Sequence, residues 1–227
     1  MAQAKTAATT ISKKKSKAPK LSREERSILT RDALFDATAK IVGEMGYPDA
    51  QVAAITAEAK VAHGTFYNYF ESRQDLFDQL LPNIGKSMLE RIQAEAATAK
   101  TDLEREVNSF KAFFDFLYEH PEFYRILFEA RVFCAEAYEE HTRNVSDGYT
   151  RVLTRAHGRG EIKGLAAEEL EAIAFMLMGA REYIAMRYAR QKGRTKQLPE
   201  WVVAVYEKLV SRALYGEVPP TKRKKSG

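Results

Sequence analysis

VAAITAEAKVAHGTFYNYFESRQDLF, residues 52–77, decides how this chain folds. It reads as two short helical segments, about 52–59 and 63–69, separated by a tight turn. Helices of some seven residues are not stable alone in water, so both must be held by packing against a longer neighbour. Ile55, Ala59, Val61, Phe66 and Phe70 are spaced to face one small core. His63, Gly64, Thr65, Tyr67, Asn68 and Tyr69 are left pointing elsewhere. Short polar and aromatic side chains, with a Gly permitting close approach, suit hydrogen bonding to base edges and phosphates in a major groove.

The longer neighbour lies upstream. Leu21-Ser22-Arg23-Glu24-Glu25 is a capping box, in which Ser22 accepts from the amide of Glu25 and the Glu25 carboxylate reaches back. The helix it opens places Leu34, Ala37, Ile41 and Met45 on one face and stops at Gly46, which suits a left-handed C-terminal position. Three helices in about fifty residues, the last two joined tightly, is the plan of a helix-turn-helix unit.

Asp36-Ala37-Thr38 through Gly46-Tyr47, then Val52, Ile55, Gly64-Thr65-Phe66-Tyr67-x-Tyr69-Phe70 and Ser72-Arg73-x-x-Leu76-Phe77 together carry a resemblance. On these residues the segment 23–80 resembles the DNA-binding domain of the TetR family of bacterial transcriptional regulators. The resemblance implies an N-terminal reader of double-stranded DNA, contacting it through His63, Gly64, Thr65, Tyr67, Asn68, Tyr69 and Arg73. It also implies a homodimer on a palindromic operator, a small-molecule effector bound among the C-terminal helices, and repression as the default. Three positions depart from the family pattern. Gln51 stands where Thr usually caps the second helix, Lys60 where Gly makes the turn, and Ala62 where Ser or Thr precedes the third helix. Gln and Ala are poor N-caps, and a non-Gly residue in a left-handed turn costs roughly 1 kcal/mol.

Downstream the apolar residues recur at three and four, so the whole body reads as all-α with about nine helices. Ser72-Arg73-Gln74-Asp75 opens a fourth helix that Pro82 should kink or break near Leu81. Further helices are expected over about 103–118, 122–134, 138–157, 166–190 and 199–214. The expected organisation is a basic arm (1–20), the helix-turn-helix domain (21–71), an effector-binding and dimerising domain (72–216) and a basic tail (217–227). Lys13, Lys14, Lys15, Lys17 and Lys20 in the arm could neutralise phosphates.

Residues 172–180, AIAFMLMGA, carry no charge over two and a half turns and need cover on every side. WVVAVY, residues 201–206, repeats that pattern. A homodimer interface is therefore expected on Phe175, Gly179, Ala180, Tyr183, Trp201, Val202, Val205 and Leu209. For the effector cavity the expected residues are Phe110, Phe113, Phe114, Tyr118, Tyr124, Arg125, Phe128, Phe175 and Met178, with Arg131 as a second possible anion anchor. Their aromatic content suits an apolar or aromatic ligand, although core packing is the commoner reason for each.

Composition narrows the rest. The 227 residues hold 36 basic and 31 acidic side chains, too small an excess to name a partner. Its distribution says more: residues 1–70 hold 11 basic and 7 acidic side chains, and 222–227 hold 4 basic and none acidic. One cysteine, Cys134, excludes an intrachain disulfide and fits a reducing compartment. Neither a membrane span nor an export signal is read, so the expected location is cytoplasmic. The four histidines lack ligand spacing and no phosphate-loop pattern is met, so no catalytic residue, metal or cofactor is expected. Two other readings stand beside the ligand-responsive regulator. One is a DNA-binding protein with no small ligand; the other is a helical carrier or enzyme whose helix-turn-helix is vestigial.

Overall fold

The computed structural model describes residues 22–191 and 194–216, and the expected basic arm and tail lie outside them. Among the described residues there are nine α-helices. The first is α1 (Arg23–Met45), whose capping box is formed: Ser22 Oγ accepts from the Glu25 amide at 3.1 Å, and the Ser22 amide donates to Glu25 Oε2 at 2.7 Å. Gly46 ends it at φ +91°, a conformation that an L side chain rarely adopts. Then come α2 (Val52–Glu58) and α3 (His63–Phe66), both without a side-chain N-cap, as Gln51 and Ala62 predict.

The third helix is shorter than its sequence pattern. It stops at Phe66, and the chain tightens into three-residue turns, with Tyr69 N donating to Phe66 O at 3.0 Å. Tighter winding lets Phe66 and Phe70 both enter the small core, where each is almost fully buried. Ile55 lies beside them, while Met45, expected on the inner face of α1, is exposed.

A Ser72 cap opens α4 (Arg73–Ala97), with Asp75 N donating to Ser72 Oγ at 3.1 Å. Of the expected kink or break, the break is absent, and α4 runs through Pro82. The proline forfeits one donor, but Leu80, Leu81 and Ile84 on either side are buried, and their burial holds the helix together. The remainder is α5 (Asp102–Glu119), α6 (Phe123–Phe133), α7 (Ala135–Gly158), α8 (Leu170–Ile184) and α9 (Glu200–Val210). Both α8 and α9 continue into widened π-type turns, Ala185–Ala189 and Ser211–Tyr215. Two-residue strands, Arg190–Gln191 and Arg194–Thr195, pair antiparallel with Arg190 opposite Thr195.

α4 is the central element, packing on α5 and α7 and also touching α1 and α6. α7 carries α8, and α5 carries α9. The buried apolar side chains form one connected cluster from α1 to the turn after α9. No described helix is long and apolar enough to cross a membrane.

Lys60, between α2 and α3, adopts φ +57°. Its exposed side chain gains nothing that offsets the crowding of its Cβ against the backbone. Lys60→Gly should therefore stabilise the folded state by about 1 kcal/mol in chemical denaturation. A variant less stable than the parent would show that Lys60 makes a compensating contact.

Candidate nucleic-acid interface and ligand cavity

Burial of Ile55, Phe66 and Phe70 fixes which side of α3 faces out. His63, Gly64, Tyr67 and Asn68 are exposed, and Thr65 and Tyr69 are half-buried. The His63 and Tyr67 rings lie 5.8 Å apart, and no heavy atom outside the local backbone comes within 4 Å of where a Gly64 Cβ would stand. This patch presents an imidazole, an amide and hydroxyls beside bare backbone, the groups needed for base-edge and phosphate contacts. Arg73 sits differently. Its Nη1 donates to the Pro48 carbonyl at 3.3 Å and its guanidinium lies over the Phe77 ring, so it braces the turn leading into α2. Gln51 Nε2 likewise donates to Pro48 O, at 3.2 Å.

Within the larger bundle is a cavity of about 420 Å³. Met88, Leu89 and Ile92 of α4, Phe113 and Leu117 of α5, Tyr124 and Leu127 of α6, Val145 of α7, and Phe175 and Met178 of α8 give it a mainly apolar wall. Four of the expected residues, Phe113, Tyr124, Phe175 and Met178, are therefore on the wall, as is Arg131. The other five are not. Phe110 and Phe114 are buried to one side of the Glu106–Ser109–Phe113–Leu117 stripe that lines the cavity, and the Phe110 ring stacks on Tyr206 at 3.7 Å. Tyr118 is exposed, and Phe128 stacks on the Tyr124 ring at 4.6 Å.

Arg125 points away from the cavity altogether. Its Nε donates to Glu129 Oε1 at 2.6 Å and its Nη1 to the Glu44 carbonyl at 2.8 Å. Glu129 Oε2 in turn accepts from the Tyr47 amide at 2.9 Å. These two side chains clasp the end of α1, and a side chain at Gly46 would collide with both.

Sequence reading missed the polar end of the cavity. Glu106 and Arg181 are buried there, with Arg181 Nη2 donating to Glu106 Oε1 at 2.8 Å. Arg181 Nη1 also donates to Tyr149 Oη, Tyr206 Oη and the Leu177 carbonyl at 3.0–3.1 Å. Both tyrosine hydroxyls donate to Glu106 Oε1. The available signal was a glutamate between Leu103 and Val107 in an otherwise apolar stripe, and an arginine one residue beyond AIAFMLMGA. His141 is on the wall too, and burial pushes its pKa down to about 4. Cys134 is buried, and burial foremost raises its thiol pKa to about 12, the state of an inert structural thiol.

One long side of the bundle is apolar and exposed: Phe175, Met176 and Tyr183 of α8, Met186 just after it, and Trp201, Val205 and Leu209 of α9. Gly179 and Ala180 are half-buried. Val202, expected on this face, is instead 4% exposed, because it falls on the side of α9 that faces the protein's own core with Val203 and Tyr206.

Residues 34–80 match the family model described as bacterial regulatory proteins, tetR family. Over that segment the chain is similar to the TetR family. Among its relatives, a fatty acid metabolism regulator protein of Bacillus subtilis is 36% identical over 73 residues, spanning 31% of this chain and 38% of that one. The regulator BetI of Serratia proteamaculans is 28% identical over 158 residues, or 61% of this chain and 76% of the relative. Two solved structures share the fold. The fatty acid degradation regulator FadR of Bacillus halodurans superposes with a TM-score of 0.70 at 19% identity, covering 80% of this chain and 94% of that one. FadR of Bacillus subtilis in complex with stearoyl-CoA does so at 0.66 and 20%, covering 80% and 98%.

The family match extends past the third helix into α4, the element that also supplies Met88, Leu89 and Ile92 to the cavity. His141 gives this second region a pH signature. In the unfolded chain its imidazole takes up a proton near pH 6.5, in the folded chain only near 4. Between these values the unfolded state binds more protons, so stability should fall as pH drops from 6.5 to 4, by on the order of 3 kcal/mol. Urea denaturation of the parent and of His141→Phe at pH 7 and pH 4.5 checks this: the parent should lose more. Equal losses would place the acid sensitivity elsewhere.

Proposed function

We propose that the protein is a ligand-responsive repressor that binds an inverted-repeat operator as a homodimer and is released by a small, mainly apolar effector. The observation that carries this reading is the double use of α6. One face lines the cavity through Tyr124, Leu127 and Arg131, while Arg125 and Glu129 on another face hold the end of α1. A molecule that repositions α6 thus acts on the helix that supports α2 and α3. The stearoyl-CoA bound by the Bacillus subtilis FadR structure is a ligand of that protein; here the apolar wall supports an effector with a substantial apolar part. No catalytic step belongs to this reading.

Dimerisation is supported by the exposed face of α8 and α9, where Trp201, Val205 and Leu209 recur at i, i+4 and i+8. Two recognition surfaces set about one DNA turn apart would then read two half-sites. Sequences selected by the protein from random DNA should be inverted repeats. His63→Ala and Asn68→Ala should relax preference at particular base pairs by about 1–3 kcal/mol, whereas Tyr67→Phe should weaken all sequences alike. Uniform losses for all three would mean that the exposed side of α3 does not read bases.

The oligomer is tested separately. Val205→Glu combined with Leu209→Glu should convert a dimer to a folded monomer in sedimentation velocity and lower operator affinity at least about a hundredfold, since one half-site contact is lost. A parent that sediments as a monomer at micromolar concentration would overturn the dimer. Arg125→Ala should lower operator affinity without effector and blunt the further release by effector.

A further inference from the structure

The charged side chains of the cavity wall are already matched with one another. Arg181 is held by Glu106, Arg131 by Glu182 at 3.4 Å, and Asp102 by Arg105 and Arg159. Three basic and three acidic residues lie on the wall, so it offers a ligand no net charge. At the polar end Arg181 Nη1 is shared among two hydroxyls and a carbonyl, and the arginine's charge is met by Glu106.

His141 differs from these groups. Its side chain is 7% exposed, on the wall, and neither ring nitrogen has a hydrogen-bond partner among the described residues. Its ring is pinned by packing: Phe123 meets it edge-on at 6.3 Å, and a Cβ at Gly85 of α4 would come within 2.5 Å of Nδ1 and Cε1. Only a glycine admits so close an approach. A rigid imidazole whose unpaired nitrogens are not sealed from solvent can take water or a ligand's polar group as its partner.

Resting on the effector-site reading above, we propose that His141 is the ligand's polar anchor, and that the effector's buried part is uncharged, with a single hydroxyl or carbonyl oxygen on an apolar body. A neutral imidazole serves either partner, donating to a carbonyl or accepting from a hydroxyl. Burial already keeps the ring neutral, since its pKa is pushed down to about 4. A carboxylate there would meet no unpaired cation, and burying an unpaired charge is far costlier than burying a hydroxyl.

The test is calorimetric titration of the full-length chain with 1-decanol and with decanoate at pH 7.5. The alcohol should bind at least about tenfold more tightly than the acid anion. His141→Phe, which keeps the ring volume, should weaken the alcohol about tenfold, and His141→Gln should recover part of the loss. A second measurement needs no variant. In protein carrying ¹⁵N-labelled histidine, the imidazole that stays neutral at pH 5.5 should shift its nitrogen resonances on addition of 1-decanol. If decanoate binds as tightly as the alcohol, if the Phe variant binds 1-decanol unchanged, or if that imidazole does not respond, the anchor is overturned while the effector cavity stands. If neither probe binds, the cavity reading fails and the anchor with it.

Discussion

Helices of seven and four residues cannot sustain themselves in water, and that constraint shapes the N-terminal third of the chain. α2 and α3 exist because Ile55, Phe66 and Phe70 bury themselves against α1, which has its own capping box and 23 residues of length. The terminus of α1 is fixed in turn by Arg125 and Glu129 of α6. The exposed surface of α2 and α3 therefore has no stability of its own. It inherits both its shape and its position from elements that also build the cavity.

The cavity wall follows from a second constraint, the cost of burying charge. Glu106 and Arg181 lie deep in an apolar bundle, and breaking such a pair would leave a buried ion uncompensated, at about 3–5 kcal/mol. Two tyrosine hydroxyls and a backbone carbonyl also accept from the arginine. These shared contacts make that end of the cavity rigid and electrically quiet. Discrimination among ligands is left to shape and to the few polar atoms still unpaired.

The reader domain was legible in the sequence because its signals are local. Ser22 and Glu25 are three residues apart, Gly46 ends a periodic stretch, and the aromatic spacing from Phe66 to Phe70 states which side is core. Lys60 shows the same directness, since its turn conformation was readable from the position it occupies. The cavity was less legible because lining depends on which of two neighbouring faces of α5 turns towards α9. Phe110 and Phe113 are three residues apart in one aromatic run, yet the first stacks on Tyr206 and the second lines the cavity. Arg125 and Arg131 posed the same problem on α6, and Val202 and Val205 on α9. Periodicity identifies a wide apolar stripe, and only packing divides it between core, cavity and outer surface. Pro82 went the other way: a strong local signal for a break was overridden by burial of Leu80, Leu81 and Ile84.

The scale of the α1–α6 clasp suits the proposed switch. α6 has 11 residues and so spans about 16 Å, short enough to move as one body. It meets α1 through the Glu44 carbonyl, the Tyr47 amide and the Arg125–Glu129 pair. Net hydrogen bonds of this kind contribute about 0.5–1.5 kcal/mol each, and those with a charged partner up to about 3. Coupling between an effector site and a second site is typically about 1–3 kcal/mol. Loosening one or two of these contacts is therefore enough to change operator affinity by a useful factor, and too little to unfold a reader whose core remains packed. A ligand that binds both arrangements of α6 equally well would shift nothing, however tightly it bound. Response thus requires that the ligand's contacts with Tyr124, Leu127 and their neighbours differ between the two arrangements, which places the selectivity of the switch on the cavity face of α6.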